Sequence, residues 1–402
     1  MRKDFLSIYG YPFKTAPYLQ ELLKNAYVFS SARSTSSWTG TAVASLMSGL
    51  CPSDHGHFRQ FQVYSGPMRI NEDKNYYNFC ISGNPWLDGK FGFARGWDEH
   101  FISDRLLGEN LVRRAKDIIT NLRCPFLGYM HFMENHEPFG DYWHLAERSI
   151  DIKSVERYYQ HMLNTSCPVV RISDKLYRFF YKHFSKYGAT LRKSLVRHQS
   201  KISQNYTNTI NYVGSVYKFD CLVSDMVKFL NDKGIANNTI LIILSDHGWG
   251  FGERTEIDNR HGYNLYNETL NIPLLVYNPN FKNKTLEGGF SIQNVMQIIK
   301  NIQTEKSEII DENMFSEEHI AIIKNGNRVR VGAMVKERYK LLKNYIFETR
   351  DGFNLYDDPG EKINVFDAFA EYFSAMEKKL DMEMAKADKN EGELMFYPNA
   401  LE

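Results

Sequence analysis

Asp246, His247 and Gly248 follow TILIILS (residues 239–245), the most continuous apolar run of the chain. A carboxylate and an imidazole side by side at a strand end can share one divalent ion or bridge two. The glycine after them lets the backbone turn with no side chain in the way. The same pair also suits structural work, with Asp246 capping a following helix and His247 as an ordinary loop residue. Thr39 stands between Trp38 and Gly40, directly before TAVASLM (41–47), whose spacing predicts a helix. The start of such a helix presents unpaired N–H groups and its positive end, a seat for a tetrahedral anion. A hydroxyl there can attack phosphorus once a metal lowers its pKa. Ser34, Thr35, Ser36, Ser37 and Thr41 share the segment. Each is a plausible cap, so composition does not choose among them.

His131, Glu134 and His136 form a second cluster, and His261 in RHGYNLYNET adds a third contribution. Imidazoles in such places bind a second metal, hold the anion or protonate a leaving oxygen. Singly, each reads equally well as a surface or satisfied histidine; together with Asp246 and His247 they favour a site. Arg2 reads as an ordinary flexible terminal residue unless something upstream fixes it. His55, in LCPSDHG, reads as a capping or packing residue behind the Thr39 helix.

The elements that must position these groups alternate in type. Residues 15–25 have helical spacing, and YVFSSA (27–32) is a strand that runs into the Ser/Thr-rich turn. YNFCIS (77–82), PFLGYMH (125–131) and NIPLLVY (271–277) are further strands, and 292–302 is a helix. TILIILS, apolar on both faces, reads as a central strand covered by helices. Residues 211–231 carry a helical apolar repeat that Gly234 ends. Residues 141–205 are the least regular part and read as an insertion. From about residue 317, short strands and turns (HIAIIKN, RVRVGAMVKE, YKLLKNYIFE, FNLYDD) predict a small antiparallel sheet, followed by a helix over 368–385. Three polar clusters thus fall at strand ends, where open α/β sheets collect their chemistry.

With 402 residues, 43% of them hydrophobic, the chain is long enough for one large α/β domain plus something smaller. Its 49 basic and 48 acidic side chains leave a net charge of +1, which implies no nucleic-acid partner. Five scattered cysteines form neither a disulfide framework nor a metal pair. The opening MRKDFLSIYGYPF lacks the apolar core of a signal peptide, and no apolar run is long enough to span a bilayer. These features read as a soluble, cytoplasmic protein.

The segments NPWLDGKFGFARGWDEHF, PFLGYMHFMENHEP, NNTILIILSDHGWGFGE, RHGYNLYNETLNIPLLVYNP and FNLYDDPGEKIN come after the Thr39 region in order. In this the chain resembles the sulfatase-like branch of the alkaline phosphatase superfamily. The resemblance implies an α/β three-layer sandwich with a small C-terminal α+β subdomain, divided as 1–315 (with 141–205 inserted) and 316–402. It also implies that Thr39 is the nucleophile and that Asp246, His247, Thr39 and His261 are metal ligands. His131, Glu134, His136 and His261 would line the substrate pocket, with His136 or His261 assisting the leaving alcohol. Mn²⁺ or Zn²⁺ suits such a mixed Asp/His set better than Ca²⁺ or Mg²⁺.

Two departures shape the expected activity. Formylglycine sulfatases mature Cys or Ser in a C/S-x-P-x-R setting, whereas here the run is Thr39-Gly40-Thr41-Ala42-Val43. An unmodified threonine resembles the nucleophile of phosphodiesterase and phosphotransferase relatives. The family also opens with an apolar strand ending in a metal-binding Asp. Met1-Arg2-Lys3-Asp4 resembles only the stretch just beyond that strand, so the start is expected upstream. The expectation is a metal-dependent hydrolase or transferase of a phosphate or sulfate ester, acting through a covalent threonine intermediate. Its substrate would be a small-molecule, glycan or lipid-headgroup ester. The alternatives are a sulfuric ester hydrolase and a catalytically impaired anion- or glycan-binding member.

Overall fold

The computed structural model describes residues 1–59, 61–104, 107–140, 142–146, 150–151, 153–155, 157–158, 185–251, 253–254, 260–306, 308–310, 312–316, 318–325 and 329–391, with backbone alone over 185–208. Two compact units divide the chain. Met1–Asp4, Tyr18–Met133 and Leu222–Glu402 form one, and Phe5–Pro17 with Glu134–Cys221 form the other. Most of the expected insertion over 141–205 lies outside the described residues or has only its backbone described.

In the first unit, β1 (Ala26–Arg33) is the hub of a mixed sheet, pairing antiparallel with β6 (Asn271–Ile272) and β7 (Leu274–Tyr277) and parallel with β8 (Lys284–Ser291). The expected strand over 271–277 breaks at Pro273, which has no N–H to give to a ladder. TILIILS shortens to β5 (Leu241–Leu244), which pairs only with β7 at the end of its sheet. Among the described strands it therefore stands at the end of its sheet and not at the centre expected for it. Three of its four residues are half-buried, so apolarity on both faces does not count neighbouring strands. β5 and β1 are both antiparallel to β7, so they run the same way and their carboxyl ends lie on one edge. A second, parallel sheet joins β2 (Tyr77–Ser82) to β3 (Glu99–Ile102) and β4 (Phe126–His131). β3, β8 and the helix Gly108–Asn121 are not among the expected elements, although the buried Leu111, Val112, Ala115 and Ile119 of that helix have plain helical spacing.

Helices flank these sheets, giving the α/β three-layer sandwich. All ten residues of the helix Thr39–Ser48 are buried. Its Val43, Ala44, Leu46 and Met47 pack with Phe29, Ile272 and Leu274 in the main core, so the helix N-terminus is fixed by apolar contact along its length. A small C-terminal subdomain follows. Its sheet has the order β12-β11-β10-β9 (Thr349–Asn354, Tyr339–Asn344, Val329–Lys336, Glu318–Asn325), and the helix Ala370–Asn390 covers one face through Phe373, Met376 and Leu380. The other face, with Ala321, Ile323 and Val331, packs on Leu265 and Leu270.

In the second unit, Phe5 stacks on Tyr11 with centroids 5.2 Å apart and meets Tyr212 edge-on at 5.1 Å. The repeat expected over 211–231 lies within the helix Ser185–Asp232, and Gly234 comes after it in the left-handed region at φ +70°.

Three histidines brace the Thr39 segment from behind. His55 Nε2 donates to Ser45 Oγ (2.9 Å), since its Nδ1 already accepts the His57 N–H (3.2 Å). His319 Nε2 donates to Ser34 O (2.9 Å) and thereby ties β9 to the nucleophile loop. Burial pushes the pKa of His55, His57 and His319 each down to about 3, aided at His55 by its neighbour His57 and at His319 by Arg33. All three rings are therefore neutral in the fold, whereas an unfolded histidine takes up a proton near pH 6.5. Stability is full above about pH 6.5 and falls as pH drops towards 3, by up to about 1.4 kcal/mol per pH unit for each ring. Urea unfolding at pH 7.5 and 5.5 should show this loss; equal stability at both would refute the neutral burial of these rings.

Candidate active site

Thr39 is the first residue of its helix, and the preceding Trp38 gives no side-chain cap. The structure shows what each of the neighbouring hydroxyls bonds to. Ser34 Oγ donates to Ser36 O (2.6 Å), Ser37 Oγ to Asn264 O (2.6 Å) and Thr35 Oγ1 to Ser45 Oγ (2.8 Å), while Ser36 Oγ accepts the Trp38 N–H (3.3 Å). Thr41 Oγ1 is buried without a hydrogen-bond partner among the described residues. Thr39 Oγ1 lies 3.0 Å from His247 Nε2.

His247 Nδ1 is 2.8 Å from Gly248 O, and a carbonyl can only accept. Nδ1 therefore carries a proton, and in the neutral ring Nε2 presents its lone pair to the threonine; Nε2 also lies 3.4 Å from Asp246 Oδ2, which favours the protonated ring. Asp246 flanks the same hydroxyl. Burial opposes its ionisation, but His247, His131 and the Thr39 hydroxyl together hold its carboxyl well below the usual range. Two proton acceptors thus face one hydroxyl at the positive end of a helix. No helix begins after Asp246, so it is not a helix cap; its Oδ1 accepts the His247 N–H at 2.9 Å.

His261 completes this side of the site. Its ring stacks on His247 with centroids 4.4 Å apart, and its Nδ1 donates to Ser37 O (3.1 Å). Trp38 stacks on the other face of the column at 5.9 Å, and Trp249 lies 4.9 Å from His261. Trp86, from GNPWLDG, stands 5.8 Å from Trp38 and extends an aromatic wall away from the nucleophile. At the end of β4, His131 Nδ1 bonds the Tyr129 hydroxyl (2.8 Å). Glu134 and His136 belong to the second unit, where His136 Nδ1 donates to Glu137 O (2.7 Å).

As a metal site the described residues are incomplete. Among the described residues Asp246 Oδ2 is buried with no hydrogen-bond partner, 3.4 Å from His247 Nε2, and the pair fits two ligand positions. Among the described residues, however, no group of three or more His, Cys, Asp or Glu side chains could hold a metal ion. Bound zinc ordinarily takes three or four protein ligands. Thr39, Asp246, His247 and His261 come together, but not as a full coordination shell for Mn²⁺, Zn²⁺, Ca²⁺ or Mg²⁺.

With this geometry in view, comparisons with known proteins place the fold in a family. The family model for sulfatases matches residues 1–304. The chain belongs to the sulfatase family. Iduronate 2-sulfatase of Mus musculus is 33% identical over 81 residues, which cover 20% of this chain and 13% of that protein, so the match spans only a small part of its length. The solved structure of BT4656 in complex with its substrate D-glucosamine-2-N,6-O-disulfate superposes with a TM-score of 0.68 at 14% identity, covering 97% of each chain. Phosphonate monoester hydrolase of Agrobacterium radiobacter gives a TM-score of 0.69 at 12% identity, covering 96% of this chain and 94% of that one. Membership of the family is consistent with metal-assisted catalysis in general.

Several supporting residues escaped sequence reasoning. Arg2 is not a flexible terminal residue: its side chain is 8% exposed, it donates to Trp249 O (3.0 Å), and it pairs with Asp4 and Glu253. Trp38 and Trp86 were visible only as aromatics near a motif, a signal that core tryptophans share. Gly248 has a sharper reason than turning freedom. Its N–H donates to Thr269 O (2.8 Å), and a Cβ there would lie 2.0 Å from Glu268 O. Gly248→Ala must push the Asp246–His247 loop off Glu268. The variant should lose about 1–3 kcal/mol in denaturant unfolding, and parent-like stability would show that the loop yields freely.

Proposed function

We propose that this chain hydrolyses a sulfuric ester, with Thr39 as nucleophile and His247 as its base. The observation that carries the reading is the 3.0 Å contact between Thr39 Oγ1 and the lone pair of His247 Nε2 at the N-terminus of a wholly buried helix. Sulfatase-family membership supports ester hydrolysis as the reaction class.

Each residue has a defined part in the reaction. The ester's non-bridging oxygens face the backbone N–H groups of the first helical turn, which have no partner within the helix. His247 Nε2 takes the Thr39 proton as Oγ1 attacks sulfur in line. The sulfur–Oγ1 bond forms while the bond from sulfur to the alcohol oxygen breaks. His261, stacked on His247, supplies a proton to the departing alcohol. Water, giving a proton to His261, then attacks sulfur of the sulfo-threonine; the sulfur–Oγ1 bond breaks, His247 returns its proton to Oγ1, and sulfate leaves.

A sugar ring is the proposed organic part of the substrate. The tilted wall of Trp38 and Trp86 beside the nucleophile offers the flat apolar surface such a ring packs on, and the BT4656 substrate is a sulfated sugar. One observation favours a second reading. Thr39 lies in Thr39-Gly40-Thr41-Ala42-Val43, and an unmodified threonine alkoxide suits a phosphoric ester equally well.

Thr39→Ala should keep its circular dichroism spectrum and lose about 1,000-fold or more in kcat on a sulfated monosaccharide; undiminished turnover would refute the nucleophile. Assayed in parallel, a sulfated monosaccharide should outpace a phosphodiester and a phosphomonoester. The reverse order would replace the sulfuric-ester reading with the phosphoric one.

A further inference from the structure

The loop that carries Asp246 and His247 has two backbone anchors: Gly248 N–H donates to Thr269 O (2.8 Å) and Trp249 N–H to Glu268 O (2.9 Å). The imidazole opposite Thr39 is therefore tied to the short helix Asn267–Leu270, alongside the Arg2 bond to Trp249 O (3.0 Å) and the Ser245 Oγ bond to His247 O (2.7 Å). Charges buried deep in the protein hold that helix in turn. Arg254 grips the Glu268 carboxylate through Nε (2.8 Å) and Nη2 (3.2 Å), stacks on Tyr266, and donates to Gly360 O (2.9 Å) and Glu361 O (2.6 Å). Glu361 accepts the Asn267 N–H (2.8 Å) and pairs with Lys340 of β11, and both side chains of that pair are 0% exposed.

Glu361 also has φ +52°, in the left-handed region that costs a residue with a Cβ roughly 1–2 kcal/mol. An ion pair fully removed from water adds little stability over an apolar pair of the same size. A strained backbone and two desolvated charges make a poor stabiliser but a stiff connector, because each group has one satisfactory geometry.

We propose that Lys340, Glu361 and Arg254 are positioning residues. Through Glu268 they lock the Asp246–His247 loop, so the C-terminal subdomain sets the distance between His247 Nε2 and Thr39 Oγ1. The catalytic side of this inference rests on the proposed hydrolysis; the positioning itself does not.

The test uses the full chain with two variants. Lys340→Met combined with Glu361→Gln removes both charges of the pair, and Arg254→Lys keeps the charge but loses the fork. In each, kcat should fall about ten-fold or more with KM nearly unchanged, because a displaced base costs rate before binding. The His247 imidazole signals in NMR should shift as well, while thermal unfolding stays cooperative. Glu361→Asp combined with Arg254→Lys should recover no activity over Arg254→Lys alone, since neither substitution restores the fork.

Parent-like kcat and parent-like His247 signals in folded Arg254→Lys would overturn the proposal, and this variant decides the matter if the double variant does not fold. Should the parent protein hydrolyse none of the esters, the proposed function fails by itself. The imidazole shift then still decides whether the network positions the loop.

Discussion

The hydrogen bond from His247 Nδ1 to Gly248 O orients the ring that faces Thr39. It joins neighbouring residues over 2.8 Å, yet it decides which ring nitrogen keeps a lone pair and where that lone pair points. With the proton fixed on Nδ1, Nε2 faces Thr39, and the hydroxyl finds an acceptor at the positive end of a helix. A donor in place of that carbonyl would reverse the tautomer, so that Nε2–H donated to Thr39 Oγ1 and the imidazole offered the hydroxyl no lone pair.

Keeping this small contact in register requires support from distant parts of the chain. The helix Thr39–Ser48 is held by apolar packing along its whole length, so its first residue cannot drift. The Asp246–His247 loop has no regular secondary structure of its own and takes its shape from Glu268, Thr269 and Arg2. Two kinds of force are thus at work: burial of hydrocarbon fixes the nucleophile, and directional bonds among buried polar groups fix its partner. The first tolerates changes that conserve volume; the second does not tolerate loss of a single partner.

The C-terminal subdomain takes part in this support. His319 donates to Ser34 O and the Ile322 N–H to Thr35 O (3.0 Å), so β9 is bonded directly to the nucleophile loop. On the other side, Lys340 and Glu361 reach the segment bearing Glu268. An element with no side chain facing the threonine therefore braces both halves of the site.

The sequence by itself determined the strand ends that bear the chemistry. TILIILS into Asp246-His247, YVFSSA into the threonine loop and PFLGYMH into His131 could all be read because apolar runs and polar clusters are local patterns. It also determined the family, through motifs in a fixed order. Only the tertiary structure shows how each hydroxyl is partnered: Ser34 and Ser36 bond within their own loop and Thr35 bonds Ser45, whereas Ser37 and Thr39 reach the distant Asn264 and His247. It likewise placed β5 at the end of its sheet and assigned Glu134 and His136 to a different unit from His131. The physical reason is the same in each case: hydropathy and spacing act over a few residues, whereas a hydrogen-bond partner or a neighbouring strand is set by contacts hundreds of residues apart.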